Sequence, residues 1–289
     1  MKRIFINFWI IIGLLIVVNS CETDDIGYYK EGYDAVRFPA TSLVGTEPVG
    51  YNSESGLFLA AFSFIDSPFA SDTIYELPVM LIGHTSTVDR AISYRINEER
   101  TNAPAGSYEI VEAVLPADST VGFIRIQLLN REELNDTTYQ VYLTLKGTSE
   151  LSRGPVEYSS AMLSWNNAIP MPTNTNFIRT YNMLIQSSLS FVSTSTSNYS
   201  PNALKAIVAA LGWNDWDDIN VHGSKYNSPA TGSYKYLPRY VWIYSDSSYK
   251  SYALKLADYI NAYNAAHPDA PLKHDAGNQQ GQLIVARSY

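Results

Sequence analysis

Cysteine occurs once in this 289-residue chain, at position 21. A lone thiol closes no intramolecular disulfide and cannot supply the clustered thiolates of a cysteine-ligated zinc site, so packing has to hold the fold. Basic residues are also scarce, with 20 Lys and Arg against 28 Asp and Glu and a formal net charge of −8. Proteins bind phosphate backbones through clustered cations that displace counterions. The basic positions between residues 225 and 235 are sparse and interrupted, which argues against nucleic acid as a partner. The longest apolar run covers residues 8–18. As a helix it would reach roughly 17 Å against a hydrocarbon core of about 30 Å, too short for a comfortable span. There is no Gly-x-Ser-x-Gly elbow, no His-Glu-x-x-His, and no collagen-like or heptad period, so no motif specifies a reaction. No cofactor is expected.

What is present begins with the placement of that run. Basic Met1-Lys2-Arg3 precedes it and Val18-Asn19-Ser20-Cys21 follows it, a charged start, apolar core and small residue in the order of a secretory signal. The segment resembles the type II signal peptide of bacterial lipoproteins, with Asn19 an unusual residue within the box. The resemblance implies cleavage after residue 20, a diacylglyceryl group on Cys21, and a membrane held through the lipidated N-terminus. More than one acyl chain is needed for stable anchoring, and a diacylglyceryl cysteine supplies them. Losing Lys2 and Arg3 and no acid would move the formal charge from −8 to −10. Glu22-Thr23-Asp24-Asp25 comes next, and residues 21–32 read as an acidic tether. In the Bacteroidetes such a stretch is similar to the signal for the outer face of the outer membrane, with a plain solvated tether as the alternative.

Residues 33–168 read as a β-sandwich domain. Apolar Ile124, Ile126 and Leu128 alternate with Arg125 and Gln127, and Tyr139, Val141, Leu143 and Leu145 alternate with Gln140, Tyr142, Thr144 and Lys146. That period of two predicts strands with one dry and one wet face. Further strands are expected at 35–38, 57–65, 74–82, 91–96, 108–111 and 160–165, and the turn-separated series suggests an antiparallel, immunoglobulin-like sandwich. Ile169-Pro170-Met171-Pro172 breaks the pattern, because each proline removes a ladder donor and keeps its predecessor extended. Residues 169–176 are therefore read as a linker to a smaller α+β region, 177–289. There Ser200-Pro201 and Gly212 bracket a helix with Leu204, Ile207, Val208 and Leu211 on one face. A second helix is expected over 248–266, a strand over 236–244, a short last strand over 282–286, and a loop or weak strand over 187–197.

Several local patterns carry a family resemblance. Leu77-Pro78-Val79-Met80-Leu81-Ile82-Gly83 followed by Arg90-Ala91-Ile92-Ser93-Tyr94, then Ala103-Pro104-Ala105-Gly106-Ser107-Tyr108-Glu109 and Leu115-Pro116-Ala117-Asp118, resemble the Bacteroidetes lipoprotein family DUF4843. The family is a domain of unknown function. The alanine-glycine-aromatic turn is also similar to Calx-beta-type sandwiches, but Ser107 stands where those turns often carry an aspartate, which puts a calcium site there in doubt. The resemblance implies an association with outer-membrane glycan uptake, with a polysaccharide and neighbouring uptake proteins as partners.

Five aromatic residues are the candidate glycan-binding set. Tyr240, Trp242 and Tyr244 alternate so that three rings would leave one strand face, while Trp213 and Trp216 sit among Asp215, Asp217 and Asp218. Aromatic faces stack on sugar rings and the carboxylates accept from hydroxyls; the alternative is that the same rings are core. The Asn214–Asp218 cluster lacks the glycine and distal glutamate of a calcium loop, and His267 and His274 are expected at the surface. Glu98-Glu99 and Glu132-Glu133 are adjacent pairs that point apart, so no catalytic carboxylates are assigned. The expectation is a non-catalytic, surface-exposed lipoprotein binding a glycan or an envelope partner. A structural or adhesin-type envelope protein is the second reading and a glycoside hydrolase the third.

Overall fold

The computed structural model describes residues 33–40, 50–212 and 246–289. Cys21 and the aromatic set Trp213, Trp216, Tyr240, Trp242 and Tyr244 lie outside them, as does the strand expected over 236–244.

The described residues before 167 form two sheets. Ala35–Arg37 (β1), Asp72–Ile82 (β4), Arg90–Ala91 (β5), Tyr108–Leu115 (β7), Val121–Leu129 (β8) and Ser152–Arg153 (β10) make the first, in the order β10-β1-β4-β8-β7-β5. Gly50–Asn52 (β2), Leu57–Ser63 (β3), Ser93–Ile96 (β6), Tyr139–Lys146 (β9) and Ser160–Asn166 (β11) make the second, in the order β2-β3-β11-β9-β6. The alternation in β8 and β9 is realised residue by residue: Ile124, Ile126 and Leu128 face inward from one sheet, Val141, Leu143 and Leu145 from the other, and all are buried. Both sets meet in one apolar cluster that also holds Val36, Leu77, Phe58, Leu163 and Trp165, so the two sheets share a core as a sandwich requires.

Two features depart from the sequence reading. The 91–96 segment is two strands: Arg90–Ala91 pairs with β7 in the first sheet, Ser93–Ile96 pairs with β9 in the second, and Ile92 turns the corner between them. The ladders are antiparallel except for β1 with β10 and β3 with β11, which run parallel. Neither parallel pair needs a crossover helix, because the intervening sandwich strands themselves carry the chain from one partner to the other.

Past residue 167 the fold is helical. Thr175–Leu184 (α1) starts where a linker was expected: Asn174 Oδ1 accepts from the amide of Asn176 at 2.9 Å, and Phe177, Ile178, Tyr181 and Leu184 form its buried face. Pro201–Leu211 (α2) has the expected ends, with the Ser200 hydroxyl accepting from the Ala203 amide and Gly212 in the left-handed region at φ 66°. Asp246–Ala266 (α3) packs against α1 and α2 and buries Tyr249, Ala253, Leu256 and Ile260. Residues 187–197 have no regular structure, and the last strand is reduced to two isolated bridges, Ile185 with Ala286 and Lys273 with Leu283.

The helical core reaches back into the sandwich. The 3-10 turn Phe64–Asp66 follows β3 directly, and it sends Phe64 into the sandwich cluster and Ile65 into the helical one. The turn thus ties the two cores, and the loop that follows it lines the cleft described next.

Candidate functional site

The cleft opens between the loop after that turn, the 3-10 turn Glu132–Asn135, and the helices α2 and α3. Its volume is about 380 Å³. A second recess, lined by Asp66, Ala209, Tyr259 and His267, shares Pro68, Phe69, Ala70 and Tyr263 with it and extends the groove.

One wall is aromatic. Tyr259, Tyr263 and His267 stand four residues apart on and just past α3, so they follow one another along a helix face. Tyr263 and His267 stack at 4.1 Å between centroids, and Phe69 leans on Tyr263 at 5.3 Å and 55°. His267 Nδ1 lies 2.9 Å from the Tyr263 carbonyl, which fixes the ring.

The loop carrying Phe69 is held by two asparagines. Asn130 donates through Nδ2 to the carbonyls of Pro68 and Ala70, at 2.9 and 2.8 Å, and its amide N–H reaches Ser71 O at 2.9 Å. Asn167, 4% exposed, donates to Pro68 O and to Asn130 Oδ1. Both of those partners are acceptors, so the amide orientation of Asn167 is determined, and its own Oδ1 is left buried without a hydrogen bond among the described residues.

The other walls are polar and charged. Asp275 Oδ1 accepts from Ser200 Oγ at 2.7 Å and from the Asn202 amide at 3.0 Å, placing a carboxylate at the N-terminus of α2. Asn202 Nδ2 donates to Lys273 O, and Arg131 Nη2 donates to Gly106 O at 2.6 Å, with Gly106 in the left-handed region at φ 74°. Lys205 lies on α2 with only 1% of its surface exposed, and its ammonium donates to Asn135 Oδ1. Burial lowers its pKa to about 8, even though Asp275 and Asp136 favour the charged form. Among the described residues no carboxylate lies within ion-pair distance of it.

Other sequence candidates fall elsewhere. Glu98 and Glu99 are exposed, and of Glu132 and Glu133 only Glu132 reaches the cleft. Ser107 is fully buried, with its hydroxyl donating to Pro104 O at 2.7 Å, so the turn closes on itself where an aspartate would have offered an oxygen outward. His267 is exposed, as expected. His274 is not: it is 2% exposed, because the bridge between Lys273 and Leu283 folds residues 272–284 back on themselves. Among the described residues no cluster of three His, Asp or Glu could hold a metal, and no helix is long and apolar enough to cross a membrane. The cleft itself was not legible in advance, since its residues run from 68 to 275 without a repeating interval.

Comparison with solved structures gives remote likenesses. A putative carbohydrate binding protein from Bacteroides ovatus aligns with a TM-score of 0.32 and 12% identity, over 47% of this chain and 37% of that one. A protein of unknown function from Bacteroides ovatus aligns at 0.30 and 16%, over 47% and 44%, and the CBD12 domain from CALX1.2 at 0.27 and 13%, over 45% and 44%. The aligned part is less than half the length of each of these proteins. No curated protein matches the chain. The sequence does match a family model that begins at β2 and ends within α1, and residues 50–181 are accordingly a DUF4843 domain, a domain of unknown function.

Proposed function

We propose that this protein is a non-catalytic envelope lipoprotein, anchored through Cys21 at the outer membrane and probing the exterior with a glycan-binding cleft. The observation that carries the reading is the pairing of an aromatic wall, Phe69 and Tyr263, with amide and carboxylate groups across a cleft of about 380 Å³. Sugar rings present apolar faces to aromatic rings and hydroxyls to amides and carboxylates, and a pocket of this size suits one or two residues of a chain. The groove continues past Tyr263 into the second recess, which gives a longer chain room to run on.

Among the described residues two carboxylates reach the first recess, and neither has the setting of a catalytic acid. Asp275 is committed to capping α2, and Glu132 sits on an exposed turn. Binding without cleavage is the reading this favours.

The experiment is affinity electrophoresis of the full chain in detergent through gels containing a panel of polysaccharides. Retardation by at least one of them, abolished in Tyr263→Ala and Phe69→Ala, is the expected result. Equal mobility of the wild type in every gel overturns the proposal.

A further inference from the structure

We infer that the cleft selects a glycan bearing one anionic substituent, a carboxylate or a sulfate ester, and that the Lys205 ammonium is the group that receives it. The inference rests on the glycan-binding reading and adds the chemical class of the sugar.

Lys205 is an unusual residue for the inner side of a helix. Lysine is almost never fully buried unless paired, because removing an ammonium from water costs several kcal/mol that a partner must offset. Here the partner is one neutral amide oxygen, Asn135 Oδ1. An ammonium has three donors, so one bond leaves two unused. Its nearest carboxylates do not neutralise it: Asp275 is held by Ser200 and Asn202, and Asp136 lies on an exposed turn. The cation therefore stands at the floor of an open cleft with its counter-charge missing among the described residues.

Charge and shape set what can supply that counter-charge. Among the described residues Arg131, Lys205 and Lys273 line the cleft against Glu132 and Asp275, an excess of one positive charge. One anionic group balances it, whereas a densely charged polyanion would meet the two carboxylates. The aromatic wall formed by Tyr263 and Phe69 asks for a ring beside that anion. A uronate or a singly sulfated sugar meets both demands together. Lysine recognises either as a point charge, so the shared feature is the negative substituent rather than its geometry.

The test uses the full chain in detergent on an array of neutral glycans printed beside their uronate and sulfate counterparts. An acidic member bound roughly tenfold or more tightly than its neutral parent is expected, the scale of a hydrogen bond to a charged group. The uronate and sulfate spots tell the two sources apart. Lys205→Met should abolish that preference. Neutral and acidic members bound equally, or a preference that survives in folded Lys205→Met, overturns the inference while the glycan reading stands; no binding anywhere overturns both. If Lys205→Met fails to fold, the wild type decides by pH. Acidic-glycan affinity should fall as pH rises through about 8, where Lys205, which faces Asp275 and Asp136, loses its proton. A flat profile between about pH 7 and 9 overturns the inference.

Discussion

Asn167 donates its side-chain amide to Asn130 Oδ1 at 3.0 Å, and both asparagines converge on the carbonyl of Pro68. The pair joins the end of β11 to the end of β8 and holds the loop that presents Phe69. Asn167→Leu removes the donor to Asn130 Oδ1 and to Pro68 O and leaves the half-buried Asn130 Oδ1 without that partner. A loss of about 1–2 kcal/mol follows, the scale of the hydrogen bonds removed. Urea denaturation measures it, and a change below about 0.5 kcal/mol would mean the network carries no weight.

Gly122 makes a second, steric prediction. A Cβ there would meet Val114 O at 2.6 Å and Leu115 Cα at 2.9 Å, both backbone or backbone-attached and unable to swing away. β7 and β8 can approach this closely only because the side chain is absent. Gly122→Ala should cost about 1–3 kcal/mol, the range for overpacking a tight interior. A melting temperature equal to the wild type would show that the strands separate freely.

The contrast between these sites and the sheets explains what the sequence discloses. β9 could be read from Tyr139 to Lys146 because each residue's face is set by the pleat, a local property. α2 could be bounded because Ser200, Pro201 and Gly212 act on their own neighbours. The helix α1 escaped notice because Pro170, Pro172 and the Thr-Asn run around residue 174 read as a connection, although Asn174 is its cap and Phe177, Ile178, Tyr181 and Leu184 keep helical spacing. The Asn130–Asn167 clamp and Lys205 were beyond reach for another reason. Their partners are dozens of residues away, and a lysine among Leu204, Ala206 and Ile207 is indistinguishable from one on a wet face until the sandwich is in place.

Asp34 and Arg90 give a prediction at low pH. Asp34 Oδ1 accepts from the His84 amide at 2.8 Å and Oδ2 from Arg90 Nη1 at 2.8 Å, tying the strand β1 to the start of β5. The His84 amide bond lowers the pKa of the carboxyl below its ordinary 3.8, burial opposes this, and Arg90 lowers it further. A depressed carboxylate contributes stability that is complete above the unfolded value and disappears as pH falls through the folded one. The wild type should therefore lose more stability than Asp34→Asn between about pH 5 and 2.5, measured by melting temperature. Parallel curves for the two proteins would exclude the pair as an acid-sensitive tie.

His274 titrates in a milder window. Its ring is buried, neither nitrogen has a hydrogen-bond partner among the described residues, and burial lowers its pKa from 6.5 with Asp275 opposing. The folded protein thus holds a neutral imidazole at pH values where the unfolded chain is already protonated. Because the unfolded state binds more protons there, stability falls as pH drops below about 6.5 and is restored above it. The strain acts on a specific turn, since Gly281 N–H donates to the His274 carbonyl at 2.8 Å and the His274 N–H donates to Gln282 O at 3.0 Å. Amide exchange at Gly281, corrected for intrinsic rate, should speed up between about pH 7 and 5, and His274→Met should remove both that acceleration and part of the loss in melting temperature. An exchange rate at Gly281 that follows the intrinsic pH dependence in both proteins would show that the imidazole stays neutral at no cost to the fold.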